Sequence, residues 1–109
     1  MGKAVEITIS ARQRAILEKW TRNKAGTPYR LVERCRFILM SADGISNAEQ
    51  GRRLGVDRQR PRRWRNRWAE NHDRLAAAEQ EGASEKDLTK LVFSLLRDQE
   101  RPGTPAKFT

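Results

Sequence analysis

The sequence predicts an all-α protein: a helix-turn-helix unit of homeodomain or winged-helix-like plan, with no sheet, followed by a C-terminal helical hairpin. Three observations lead there. Apolar residues recur every three or four positions in successive stretches, the period of helices with one buried face. Between residues 46 and 68 a short periodic segment, a glycine turn and a second periodic segment follow one another at helix-turn-helix spacing. Eight arginines fall within the sixteen residues from Arg52 to Arg67, and Trp64 and Trp68 stand one helical turn apart beside them.

Each element has its own start and stop signals. Ser10 and Gln13 form a capping box, and Ile16, Leu17 and Trp20 follow at helical spacing, so helix one is expected from about Ala11 to Lys24, before Gly26. Thr27 as N-cap and Pro28 in the first helical position open helix two, expected over Pro28 to Ala42. Its face is Leu31, Val32, Cys35, Ile38, Leu39 and Ala42, and Asp43 and Gly44 end it. A second box, Ser46 with Glu49, opens a helix of about eight residues that stops at Leu54. There Ala48 and Leu54 are expected to face inward, Gly55 to take a positive φ, and Val56 to fill the angle between the helices.

Asp57 can cap helix four, which carries the arginines and turns Trp64 and Trp68 inward. Through Leu75 and an alanine run this helix is expected to continue to about Glu81. Gly82 breaks it, and Ser84 with Asp87 starts a last helix striped by Leu88, Leu91, Val92, Leu95 and Leu96. The expected organisation is a DNA-binding domain over residues 1–71, a hairpin extension over 72–98 and an extended linker over 99–109. The hairpin is net negative, so it is expected to turn away from DNA, either packing on the domain or serving as a surface for a homodimer.

The charge points to a polyanion. The chain has 109 residues, a formal charge of +9 and 37% hydrophobic residues, enough for one small domain of single-striped helices. The basicity is localised: residues 52–69 hold eight arginines against Asp57 alone, whereas residues 70–100 are net negative. A local block beside an acidic segment is the pattern of a folded surface with one binding face. The single cysteine, Cys35, lies within an apolar stripe and reads as an inert core thiol. His72 has no companion at metal-ligand spacing, and no cofactor or metal is expected. Without an apolar run near the ~20 residues of a membrane span, no membrane partner is expected and the location is taken as cytoplasmic, at the nucleoid.

Several runs carry a family resemblance. Arg30-Leu31-Val32-Glu33-Arg34-Cys35-Arg36, Gly44-Ile45-Ser46-Asn47 and Arg52-Arg53-Leu54-Gly55-Val56, with Trp64 following, resemble the N-terminal DNA-binding region of bacterial insertion-sequence transposases of the mariner superfamily, the IS-six-thirty group. The closing run from Arg101 to Thr109 is similar to the linker that leads to their catalytic domain. The resemblance implies binding to transposon terminal inverted repeats and a ribonuclease-H-like domain with three metal-binding carboxylates. That domain is missing here, and the chain is expected not to be an enzyme. Two positions depart from the family pattern: Pro61 replaces a β-branched residue, and Gly51 replaces an alanine, each expected to weaken its helix.

Helix geometry ranks the arginines. At ~100° per residue, with Pro61, Trp64 and Trp68 setting the buried direction, Gln59, Arg62, Arg63 and Asn66 point outward with Arg58 nearby. Arginine can offer a bidentate fork to guanine, and Asn or Gln to adenine, so these five are the base-edge candidates on double-stranded DNA. Arg60, Arg65 and Arg67, with Arg52 and Arg53 on the preceding helix, are expected at phosphates. Alternatives are a stand-alone transcriptional regulator of the same fold, a protein-interaction or dimerisation module, and an RNA-binding domain. The last lacks the aromatic platforms of single-strand readers.

Overall fold

A computed structural model describes residues 5–22 and 26–97. Among them are six helices and no strand: α1 (Ala11–Arg22), α2 (Tyr29–Ala42), α3 (Asn47–Leu54), α4 (Gln59–Glu70), α5 (His72–Gln80) and α6 (Glu85–Leu96). The expected continuation of the first helix to Lys24 and the tail over 99–109, with Arg101 and Lys107, lie outside the described residues.

One core joins five of the six helices, and α3 packs Leu54 against it. Ile16 and Leu17 of α1, Cys35, Phe37 and Ile38 of α2, Trp64 and Trp68 of α4, Leu75 of α5, and Leu88, Val92, Leu95 and Leu96 of α6 form a single buried cluster, with Ile7 from the segment before α1. The hairpin therefore turns its apolar stripe into the same core that anchors the arginine helix. Phe37, which the single-stripe reading of α2 leaves out, is fully buried because α2 has neighbours on more than one side: α1, α4 and α6 all pack against it.

The capping signals translate into hydrogen bonds with some corrections. At α1 the box is reciprocal: Gln13 N donates to Ser10 Oγ (3.0 Å) and Ser10 N to Gln13 Oε1 (3.2 Å). Glu79 of α5 then accepts from both Ser10 Oγ and Gln13 Nε2 at 2.6 Å, and Arg12 donates to the Ala83 carbonyl, so α1 holds the α5–α6 turn. Pro28 sits outside α2 rather than in its first turn. With ψ 142 it is the N-cap, and its carbonyl accepts from Leu31 N and Val32 N. At α3 only half of the expected box forms: Ser46 Oγ accepts from Glu49 N (3.1 Å), while the Glu49 carboxylate turns to arginines instead.

The arginine helix is shorter than expected. A break at Asn71 (φ −108, ψ 10) separates α4 from α5, where one helix to about Glu81 is expected from sequence. Asn71 Nδ2 donates to the Arg67 carbonyl (2.9 Å), a side-chain bond that competes with the helical ladder and ends it. The turn re-aims the chain so that Leu75 is buried.

Between α3 and α4 the backbone closes tightly. Gly55 takes the left-handed conformation (φ 69, ψ 35), and Val56 N donates to the Gly51 carbonyl (2.9 Å). Leu54 and Val56 pack partly buried against the core, as expected, but Ala48 is exposed. The inward positions of α3 are Gln50 and Gly51. A β-carbon on Gly51 would stand 2.6 Å from the Val56 carbonyl oxygen and 3.3 Å from Arg58 N. Glycine is thus what lets the turn lie on the helix.

Gly51→Ala is expected to destabilise the fold. Helix propensity alone would favour alanine by ~1 kcal/mol. The overlap is with backbone that cannot swing aside, and forced overpacking costs typically ~1 to 3 kcal/mol, so a net loss is predicted in urea denaturation. A gain in midpoint would show that the turn relaxes freely. Cys35 gives a second expectation. Burial pushes its thiol from 9.0 up to about 12. Between those values the unfolded chain releases a proton that the folded chain keeps, so stability falls as pH rises, by at most ~1.4 kcal/mol per pH unit. Below pH 9 this contribution is constant. Cys35→Ala should flatten the decline of the melting midpoint between pH 9 and 11 relative to the parent chain.

Candidate nucleic-acid interface

Asp57 starts the arginine helix. Its Oδ1 accepts from Gln59 N (2.8 Å), and its carbonyl accepts from Arg60 N (3.0 Å). The second bond takes the carbonyl that residue 61 would have used, so the missing N–H of Pro61 leaves nothing unsatisfied there. Arg58 is already helical (φ −61, ψ −18), and Pro61 is fully buried. The expected weakening at Pro61 does not appear as a late start or a loop over residues 58–60.

Arg65 fixes the angle of α4. The residue is 4% exposed, with Nη2 donating to the carbonyls of Ile45 (2.9 Å) and Ser41 (3.4 Å) and Nη1 to Asn47 Oδ1 (3.1 Å). Gln50 reaches the same corner: its Nε2 donates to Ser41 Oγ and the Ile45 carbonyl, both at 2.9 Å. Burial pushes the Arg65 pKa down, but a guanidinium remains charged at any ordinary pH. The phosphate contact expected of Arg65 is therefore corrected: its donors point into the α2–α3 corner and hold α3 and α4 together.

The other expected residues divide. Arg58, Gln59, Arg62 and Arg63 are exposed on the first two turns of α4, on the face away from Trp64 and Trp68. Arg62 Nη1 donates to Gln59 Oε1 (3.3 Å) within that face. Asn66 is half-buried one turn further on. Arg60 is exposed but pairs with the buried Glu33 of α2 (Nη1 to Oε1, 3.3 Å), whose other oxygen accepts from Tyr29 Oη at 3.4 Å. Arg67 is half-buried, its guanidinium 5.5 Å from the Trp64 ring centre, while Arg34 stacks on the same ring at 4.2 Å. Burial, and then the neighbouring Arg34 charge, push the Arg67 pKa down. Arg52 and Arg53 are exposed on α3, each hydrogen-bonded to one oxygen of Glu49.

Sequence reasoning missed Glu33, Gln50 and Glu49 as partners of the site. Glu49 carried a signal, since it stands three and four residues before Arg52 and Arg53. Glu33 and Gln50 carried none, because their partners come from other elements. Among the described residues no group of three or more His, Cys, Asp or Glu could hold a metal ion, and no helix is long and apolar enough to cross a membrane.

Comparison with known proteins places this arrangement. Residues 28–77, spanning α2 to α4 and most of α5, match the family model of a homeodomain-like domain. This segment is a helix-turn-helix. The match supports a DNA-binding region, and α3, the Gly55 turn and α4 follow one another in helix-turn-helix order. Neither the curated proteins nor the solved structures yield a significant match.

The reassignment of Arg65 is testable. Arg65→Met leaves the Asn47 side-chain oxygen without its donor and takes one of two donors from the Ile45 carbonyl, and stability is expected to fall by ~1 to 3 kcal/mol in urea denaturation. A stable variant that instead loses one phosphate's worth of salt dependence in DNA binding would restore Arg65 to the interface.

Proposed function

We propose that this chain is the sequence-specific double-stranded DNA-binding part of a transposase, that it recognises terminal inverted repeats, and that it acts in the cytoplasm at the nucleoid. The observation that carries the reading is the outward face of α4. Arg58, Gln59, Arg62 and Arg63 stand together on a helix whose opposite edge is locked into the core, and among the described residues Arg58 and Arg63 have no side-chain hydrogen bond or ion pair. Direct readout needs such donors held on a rigid helix narrow enough for the major groove. Arg52 and Arg53 on α3 flank this face and suit phosphate contacts that set register. The resemblance of the Arg30 to Arg36, Gly44 to Asn47 and Arg52 to Val56 runs to insertion-sequence transposases supports the choice of inverted repeats as target.

Selection of bound fragments from random duplexes, followed by fluorescence anisotropy at several salt concentrations, tests the proposal. Arg62→Ala or Arg63→Ala is expected to cost ~1 to 3 kcal/mol on the selected duplex and to relax preference at one base pair. Arg53→Ala should weaken every duplex alike and lower the salt slope by ~1. Equal loss on all sequences for all three variants would sink base reading by α4. A selected site unrelated to any inverted repeat would favour the stand-alone regulator.

A further inference from the structure

The exposed face of α3 carries two cations and one anion in direct contact. Glu49 sits in the first turn, its backbone N–H fixed by the Ser46 hydroxyl, and its two carboxylate oxygens are divided between neighbours: Oε1 accepts from Arg52 Nη2 and Oε2 from Arg53 Nε at 3.0 Å. The spacing is i, i+3 and i, i+4, so all three side chains rise from one side of the helix. The arginines are the more exposed members, with side chains 75% and 51% accessible against 34% for Glu49. The carboxylate thus lies beneath and between the two guanidiniums. Hydrogen bonds from Arg52 and then Arg53 hold its carboxyl below the usual carboxylate range.

We infer that Glu49 sets the strength of phosphate binding by α3: it occupies Arg52 and Arg53 in the free protein and so weakens binding to duplex DNA of every sequence. The inference rests on the DNA-binding function proposed above. Binding without sequence preference is almost wholly electrostatic and scales with the phosphates neutralised. Arg52 and Arg53 face that task, and each must exchange a carboxylate oxygen for a phosphate oxygen before it contributes. Base reading is assigned to α4, whose Arg58, Gln59, Arg62 and Arg63 lie outside the Glu49 cluster. The carboxylate therefore weakens the term common to all sequences and leaves the discriminating term in place. Affinity for every duplex therefore falls by a similar factor, and the ratio between duplexes stays where α4 sets it.

Glu49→Gln tests this with the full chain. The amide keeps the size of the side chain and the backbone cap at Ser46, and a thermal melt establishes that the variant is folded. Anisotropy is measured on the selected duplex and on an unrelated duplex of equal length, from 50 to 200 mM salt. The variant is expected to bind the unrelated duplex roughly three- to tenfold tighter at the lowest salt, with a salt slope steeper by about one to two phosphates. The gain on the selected duplex should be similar, so the ratio of the two affinities is unchanged. A folded variant with unchanged affinity and slope on the unrelated duplex overturns the inference alone. Loss confined to the selected duplex also overturns it, because Glu49 would then be accepting from a cytosine amino group as a base reader. Failure of the parent chain to bind either duplex overturns the proposed function, and the inference with it.

Discussion

The buried guanidinium of Arg65 is the constraint on which the interface depends. A charge taken from water is costly unless its donors are satisfied, and among the described residues no carboxylate pairs with this one. Its two Nη groups donate to two carbonyls and an amide oxygen, all in the corner between α2 and α3, while its buried Nε has no partner among the described residues. Gln50 binds that corner from the other side, so the Ile45 carbonyl accepts from both α3 and α4. Hydrophobic burial of Trp64 and Trp68 would tolerate some rotation of α4 about its axis. The directional bonds of Arg65 do not, and they fix which side of α4 faces out. Glycine at 51 serves the same end by bringing the turn against α3.

Once the helix is fixed, the apparent excess of arginine shrinks. Arg65 is internal, Arg67 lies against Trp64, Arg60 is committed to the buried carboxylate of Glu33, and Arg52 and Arg53 share Glu49. Exposed pairs of this kind contribute little to stability, so the Glu49 pairs matter little to the fold. They matter to association, because each is a bond that a phosphate has to replace. The Arg60 pair is different: removing Arg60 would leave a buried carboxylate without its cation, and that residue belongs to the packing of α4 on α2 more than to the groove.

Local chemistry was legible in the sequence, and cross-element chemistry was not. The Ser10–Gln13 capping box, the Ser46 half of the second box, the left-handed Gly55, the Asp57 cap and the inward tryptophans all depend on residues within five positions of one another, and all appear in the structure. The break at Asn71 was hidden because the apolar and alanine pattern continues across it, and only a side-chain bond to Arg67 ends the helix there. Arg65 shows the limit most clearly. On a helical wheel Arg60 and Arg65 lie on opposite flanks of the buried edge, each roughly 70° from it, and no property of α4 alone distinguishes them. The Arg65 flank meets the α2–α3 corner with its acceptors, whereas the Arg60 flank meets α2 near its exposed start. Ala48 failed for the same reason. Polarity suggested alanine as the inward residue of α3, but the neighbouring corner offers hydrogen-bonding groups, and Gln50 is the side chain that can use them.

The acidic hairpin takes its meaning from the same geometry. Its stripe completes the core under Trp68, and Arg34, stacked on Trp64, donates to the Leu96 carbonyl at the end of α6 (2.7 Å). Glu79 ties α5 to the first turn of α1. The arginine helix is thus supported from behind by elements beyond the three-helix unit, through contacts that involve none of Arg58, Gln59, Arg62 or Arg63. A reading helix needs its outward side chains free to meet bases while its axis stays still, since an error of an ångström removes a bidentate contact. In this fold the stillness comes from a shared core and a gripped corner, and the exposed face is left to chemistry that the core does not use.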